Sequence, residues 1–195
     1  MIYAILLIIS YLLGSVPMGL LLTRIAGKGD LRKVGSGNIG ATNVMRVGGL
    51  RMAAATWLLD MAKVIVPVLL GRAFVDPGFG AWCGFVAICG HCFPVWLRFR
   101  GGKGVSGLFG MLLAISPLSF VFIGIEWLLV ALSSGYSSLG ALVVFCLAPI
   151  FGFVIDINVG FAFLAVSILC VVRHRANIIR LVQGKESKVE WKWKK

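Results

Sequence analysis

The chain has 195 residues, of which 59% are hydrophobic and only 13% charged, with a net charge of +12 and a mean hydropathy of +0.99. This composition excludes an ordinary soluble domain and points to a polytopic membrane protein. One short-looped domain covering residues 1–195 is expected, because no linker, low-complexity run or internal repeat divides the sequence.

The first apolar stretch, residues 2–22, is too long for a signal-peptide core. It has no basic residue before it and no small-residue cleavage pattern before Arg24, so it is expected to stay as the first span. Stretches 52–70, 79–97, 138–154 and 157–172 are also long enough to cross a hydrocarbon layer of about 30 Å. Residues 104–132 read as one tilted helix or as two shorter helices meeting at Ser116-Pro117, where proline removes a backbone donor.

Charge decides between them. Six basic residues lie in 24–51, three in 98–103 and eight in 173–195, leaving only Lys63 and Arg72 elsewhere. The positive-inside rule puts all three clusters in the cytoplasm, and parity then requires 104–132 to turn back on itself. The expected fold is an all-α integral membrane protein, a seven-helix bundle with two short helices in a hairpin near Pro117. Its amino terminus is outside and its carboxyl terminus cytoplasmic. The loop 133–138, including Ser138, then joins the cytoplasmic face.

Asp76 and Asp156 fall in external turns and are expected to be solvated, whereas Asp60 and Lys63, three apart in one span, are expected to pair. Glu126 has no assignable partner. Cys89 and Cys92 have Cys-x-x-Cys spacing without a second pair, so neither a zinc site nor a disulfide framework is expected. His91 reads as a packing or supporting residue. The tail Trp191-Lys-Trp-Lys-Lys195 reads as an interfacial anchor.

Three polar islands interrupt the apolar sequence. In Arg98-Phe-Arg-Gly-Gly-Lys-Gly104, the amides of Gly101, Gly102, Lys103 and Gly104 stand at the start of a helix and read as a phosphate cradle. Lys103 adds a point charge, and Arg98 and Arg100 are suited to lipid head groups. The Walker pattern is excluded, because Lys103 is followed by glycine rather than Ser or Thr. In Gly35-Ser-Gly-Asn-Ile-Gly-Ala-Thr-Asn-Val44, the side chains of Ser36, Asn38, Thr42 and Asn43, with Arg46 beyond, suit a polyol phosphate; helix capping would explain only one or two of them. In Arg173-His-Arg-Ala-Asn-Ile-Ile-Arg180, the residues Arg173, His174, Asn177 and Arg180 recur at helical spacing and are expected to line one face, with lipid snorkelling as the competing role for Arg173 and Arg175.

These islands resemble the bacterial acyl-phosphate glycerol-3-phosphate acyltransferase (PlsY) family over nearly the whole chain. The matching stretches are 27–44 with Arg46, Gly90-His-x-Phe-Pro94 with Phe99-x-Gly-Gly-Lys-Gly104, and His174-Arg-x-Asn-Ile-x-Arg-Leu181 followed by Gly184 and Glu186. The resemblance implies acyl transfer from acyl phosphate to the 1-position of glycerol 3-phosphate, giving lysophosphatidic acid and phosphate. This is the first acylation of phospholipid synthesis, at the cytoplasmic face of a bacterial inner membrane. On that basis Ser36, Asn38, Asn43, Arg46, His174 and Asn177 are expected to hold glycerol 3-phosphate, and Gly101, Gly102, Lys103, Gly104 and Ser138 the acyl-phosphate head.

Phosphate is a competent leaving group, so positioning and charge stabilisation carry the expected catalysis, with Lys103 foremost. The His-x-x-x-x-Asp dyad of soluble acyltransferases is absent, since Trp96 and Ile179 stand five positions after His91 and His174. The proton acceptor is His174 or, preferred, a phosphate oxygen of the donor. No cofactor, metal, nucleic acid or obligatory protein partner is expected; membrane lipids are. The alternatives are an organophosphate carrier, disfavoured because the polar groups sit at span ends rather than at mid-membrane repeats, and a lipid-binding scaffold.

Overall fold

The structure, a computed structural model, describes residues 1–189; the expected anchor at 191–195 lies outside the described residues. The first apolar passage is two helices, α1 (Ile2–Gly14) and α2 (Met18–Ile25). Pro17 causes the break: it has no N–H and pushes Val16 away from helical geometry. The Val16 carbonyl accepts from the Lys63 ammonium at 2.7 Å. Helix α3 (Ala41–Phe74) starts inside the first island, eleven residues before the apolar stretch, and bends at Gly49, whose φ of 76° and ψ of −177° are non-helical. Helix α4 (Pro77–Cys92) follows, then a 3-10 turn at Val95–Leu97.

The 104–132 region divides at Ser116 into α5 (Val105–Ile115) and α6 (Pro117–Ser134). The Phe109 ring meets those of Phe120 and Trp127 at 5.9 and 6.5 Å. Straight helix would put residues 109 and 127 about 27 Å apart, so α6 doubles back along α5. Of the two short helices expected, only α5 is short, at 11 residues or about 16 Å. Helix α6 reaches 18 residues because it continues past Leu132 until Gly135 stops it. The free carbonyl end of α5 is met by the Arg72 guanidinium, which donates to Ala114; a polar terminus in a membrane needs such a partner.

Helices α7 (Ser137–Ile155), α8 (Ile157–Arg173) and α9 (Arg175–Val182) complete the described chain. Among the described residues, five helical stretches are long and apolar enough to cross a membrane, or six if the bent α8–α9 pair counts as one. Asp76 and Asp156 do more than face solvent: their carboxylates cap α4 and α8, accepting from Phe79 and Asn158 N–H at 2.8 Å.

Small residues set the helix spacing, as expected where lipid gives helices no hydrophobic reason to associate. A Cβ on Gly14 would overlap the Ala87 carbonyl, and one on Gly90 the Tyr11 carbonyl, so α1 and α4 touch backbone to backbone. Gly110 stands likewise against Met61, joining α5 to α3. Val64, Val68, Ile88, Leu108, Met111, Phe145 and Phe163 fill the core, while Leu58, Ile150 and Ile168 face outward. Lys63 and Asp60 pair at 2.8 Å within this core, 3% and 2% exposed, with His91 Nδ1 at 3.8 Å from Asp60. Charges in hydrocarbon persist when paired in this way.

Candidate active site

In the first island, Gly35 and Gly37 have left-handed φ values of 59° and 69°, and a Cβ on Gly35 would strike the Asn43 Oδ1. Asn43 is the latch of this loop. Its Nδ2 donates to the carbonyls of Leu31, Val34 and Asn38 at 3.2, 3.0 and 2.9 Å, and its Oδ1 accepts from Ser36 N–H at 3.1 Å. With every polar atom committed and the side chain buried, Asn43 shapes the loop and offers a ligand nothing. Asn38 Oδ1 is also used, accepting from Gly40 N–H at 3.1 Å. Ser36 and Arg46 are exposed, on the loop and the first turns of α3.

The second island departs from the expected cradle. Gly101 N–H donates to the Cys92 carbonyl and Gly102 N–H to the His91 carbonyl, at 3.1 and 3.0 Å. Their amides are therefore not available to phosphate. What these glycines provide is room, since a Cβ on Gly102 would overlap the His91 ring and one on Gly101 the His91 carbonyl. Among the described residues, only the N–H groups of Lys103 and Gly104 in this stretch lack a protein acceptor. Gly104, at φ 86°, caps α5.

The third island is not one continuous helical face. The chain bends by 59° between α8 and α9, at His174, and the bend sends its residues to different tasks. Arg173 turns to the second island, donating through Nε to the Gly102 carbonyl and through Nη2 to the Gly101 carbonyl, at 3.1 and 3.0 Å. Asn177 turns inward, accepting from Lys103 Nζ at 2.6 Å and donating to Glu186 at 2.5 Å. Glu186 also receives the Ser138 hydroxyl at 2.7 Å and Arg180 Nε at 2.6 Å.

Lys103, Asn177, Ser138, Arg180 and Glu186 thus form one network. Ser138 gives its only proton to Glu186 and in this arrangement has no donor for phosphate. Ser133 and Ser134 do not join: their hydroxyls donate to carbonyls of their own helix.

Burial, then the Arg180 charge, brings the Lys103 ammonium down to about 8, against the opposing pull of Glu186. Lys103 is still a cation at neutral pH, with two N–H bonds unspent after the one to Asn177. Burial pushes the imidazole of His174 down to about 4, so the ring is neutral. Its Nδ1 lies 2.8 Å from the Cys170 carbonyl; a neutral ring in that contact carries its proton on Nδ1 and leaves Nε2 bare as an acceptor. Burial works to raise Glu186, but the bonds from Ser138, Asn177 and Arg180 outweigh it and hold the carboxyl below its ordinary value.

Of the expected site residues, the structure joins Lys103, Asn177 and Ser138 directly and sets His174 beside them; the Arg46 charge is near enough to act on Lys103. Asn43, Gly101 and Gly102 take supporting positions. Glu186, at the centre of the network, had no assigned role, and Arg180 was expected only to share a helical face with Arg173, His174 and Asn177. The signal for Glu186 was its place directly after the family motif, as one of two acids in a basic carboxyl-terminal segment.

The family model described as glycerol-3-phosphate acyltransferase matches residues 4–184. A glycerol-3-phosphate acyltransferase of Rhizobium etli is 45% identical over 183 residues, covering 93% of this chain and 89% of its own. One of Mesorhizobium japonicum is 46% identical over 184 residues, covering 94% of each. The crystal structure of PlsY (YgiH), an integral membrane glycerol 3-phosphate acyltransferase, in its glycerol 3-phosphate form superposes with a TM-score of 0.92 at 36% identity, over 97% of this chain and 96% of that one. Its lysophosphatidic acid form gives 0.90 at 35%, over 96% and 95%. With the second and third islands joined in one polar network and a match running almost end to end, the chain belongs to the glycerol-3-phosphate acyltransferase family.

Proposed function

We propose that the protein transfers a fatty acyl group from acyl phosphate to the 1-position of glycerol 3-phosphate, releasing phosphate and lysophosphatidic acid. Its family makes it an acyltransferase, and the relatives described above give the carrier reading no support. The observation that carries the proposal is the Lys103–Asn177–Glu186 network, with Ser138 and Arg180, where the second and third islands meet.

In the proposed reaction, the glycerol hydroxyl oxygen bonds to the acyl carbon, the bond from that carbon to the phosphate oxygen breaks, and phosphate departs with the electron pair. Lys103 directs its two unspent N–H bonds at the charge that develops, which one fixed donor stabilises by about 10²–10³ in rate. Asn177 and Glu186 fix the ammonium; Ser138 acts through Glu186, and Arg180 keeps unspent guanidinium N–H groups for phosphate. Lys103 and Gly104 amides supply the remaining donors to the acyl-phosphate head, while Gly101 and Gly102 allow the loop to lie flat on His91. Ser36, Asn38, Arg46, Asn177 and His174 hold glycerol 3-phosphate on the loop that Asn43 shapes. His174 Nε2 accepts from a glycerol hydroxyl. With a pKa of about 4, that ring is a weaker base than a phosphate oxygen, whose second pKa in a phosphoester is about 6. The proton therefore goes to phosphate.

The chain acts as one polytopic domain over residues 1–195, in a bacterial inner membrane, with the amino terminus outside and the site facing the cytoplasm. Seven membrane helices result if α1 with α2 makes one and α5, α6, α7 and α8 are each counted beside α3 and α4. The charge distribution of the sequence supports this orientation. No metal is required; loss of activity in chelator, restored by magnesium, would contradict that.

The test is release of inorganic phosphate by purified protein given palmitoyl phosphate and glycerol 3-phosphate, beside Lys103→Ala and a control without acceptor. Acceptor-dependent release, lost in the variant, supports acyl transfer. No release from folded protein, with uptake of labelled glycerol 3-phosphate into vesicles, would replace the enzyme with a carrier.

A further inference from the structure

The proposed chemistry leaves one basic assembly unused. Two clefts of about 460 Å³ each open side by side, the first lined by Asp30, Arg32, Lys33, Gly37, Phe99, Arg100, Gly101 and Arg173. The second is lined by Arg32, Trp96, Leu97, Arg98 and Arg100. Arg32 and Arg100 wall both, whereas Lys103, Ser138 and Asn177 line neither.

The two networks spend their charges differently. Asp30 engages Arg32 at 2.6 Å and Arg24 at 3.5 Å. Among the described residues, Arg98 and Arg100 make no ion pair. A cleft walled by three guanidinium groups with one neighbouring carboxylate is an anion site, and guanidinium forks suit phosphate oxygens.

The backbone of this loop is held in an uncommon form. Arg98 and Phe99 have left-handed φ values of 52° and 61° without being glycine. Their loop is tied by Phe99 N–H to the Pro94 carbonyl at 3.0 Å and Arg100 N–H to the Leu97 carbonyl at 3.1 Å. Such geometry persists where its surroundings enforce it, and it gathers at binding sites. The rim is apolar: Trp96 and Phe99 are 62% and 58% exposed, and the Trp96 indole is aimed by its N–H bond to Ser15 Oγ at 2.7 Å. An exposed tryptophan with one tethered polar end is a residue of the membrane–water boundary.

We propose that the second cleft is a lipid site, binding the phosphate of an anionic phospholipid head group between Arg98, Arg100 and Arg32, with the lipid's acyl region against Trp96 and Leu97. The apolar rim favours a lipid over free phosphate. A zwitterionic head group is disfavoured because it brings its own cation toward three arginines. The inference rests on the membrane placement and is independent of the acyl-transfer proposal.

The test is native mass spectrometry of the full chain in detergent, titrated with phosphatidylglycerol or phosphatidylcholine. Retention of phosphatidylglycerol in preference to phosphatidylcholine is expected, weakened about tenfold or more in Arg98→Ala/Arg100→Ala and unchanged in Lys103→Ala. Equal retention of both lipids, or displacement of phosphatidylglycerol by millimolar inorganic phosphate, would overturn the proposal. A second measurement needs no variant to fold: photoreactive phosphatidylglycerol in vesicles should label peptides containing residues 95–100, and labelling confined elsewhere would sink it.

Discussion

The protein holds two buried polar assemblies that differ in what they leave unspent. Inside the bundle, Lys63 directs two of its three N–H donors at Asp60, 2.8 Å away, and at the Val16 carbonyl at 2.7 Å, and both charged side chains are sealed from solvent. At the islands, Lys103 gives one bond to Asn177 at 2.6 Å and keeps two, while Arg180 is tied to Glu186 yet 39% exposed. Both are ion-bearing clusters in a membrane protein. Burial of charge therefore does not by itself mark a site; the proposed site differs in the bonding capacity its part-buried lysine keeps. The first assembly joins α3, α4 and the α1–α2 break, and the second is the one proposed to meet an anion.

The sharpest way to break this comparison is to remove the lysine from each. Lys63→Ala strands the Asp60 charge in hydrocarbon and is expected to lower stability by about 3–5 kcal/mol, read as the loss of the thermal transition in detergent. Lys103→Ala is expected to leave that transition within a few degrees of the parent, because Lys103 is only part-buried. It should reduce kcat/KM by about 10²–10³. An exchange of these outcomes would mean that the two assemblies have been read the wrong way round.

The next effect sharpens the electrostatic half of the comparison. Lys103 is protonated below about 8, so its stabilisation of anionic charge is present at neutral pH and fades as pH rises through that value. kcat/KM should fall on the alkaline side with a midpoint near there. Glu186 opposes the depression of Lys103; Glu186→Gln removes that support and should move the alkaline limb to lower pH, with about a tenfold loss at neutral pH from weakened charged hydrogen bonds. A limb that stays in place would show that Glu186 acts through packing alone.

Much of the membrane architecture was legible because hydropathy and the positions of Lys and Arg are one-dimensional properties. The break at Ser116-Pro117 is written in the proline, and the Asp60–Lys63 pair in a spacing of three. The start of helix α3 is not legible from hydropathy, because Thr42, Asn43, Arg46, Gly48, Gly49 and Arg51 interrupt residues 41–51, although the chain is helical from its Gly40 cap onward. The direction of backbone amides was not legible: a Gly-Gly pair looks like a row of donors until the His91 and Cys92 carbonyls are found to occupy them. Nor does helical spacing reveal the bend at His174, which separates Arg173 from Asn177. The part of Glu186 depends on a contact with Ser138, 48 residues away, which no local pattern encodes.

The smallest effects divide the first island by the same criterion of spent and unspent groups. Asn43→Ala empties a latch that serves three carbonyls and one amide, and should lower both the thermal transition and the apparent affinity for glycerol 3-phosphate. Ser36→Ala removes an exposed hydroxyl that has no partner among the described residues, so stability should not move. If that hydroxyl binds the polyol phosphate, KM for glycerol 3-phosphate rises about fivefold, the worth of one neutral hydrogen bond of about 1 kcal/mol, with kcat retained. An unchanged KM would remove Ser36 from the site and leave Arg46 and the Asn38 side-chain N–H groups as the island's contacts to substrate, because Asn43 has committed its amide to the loop.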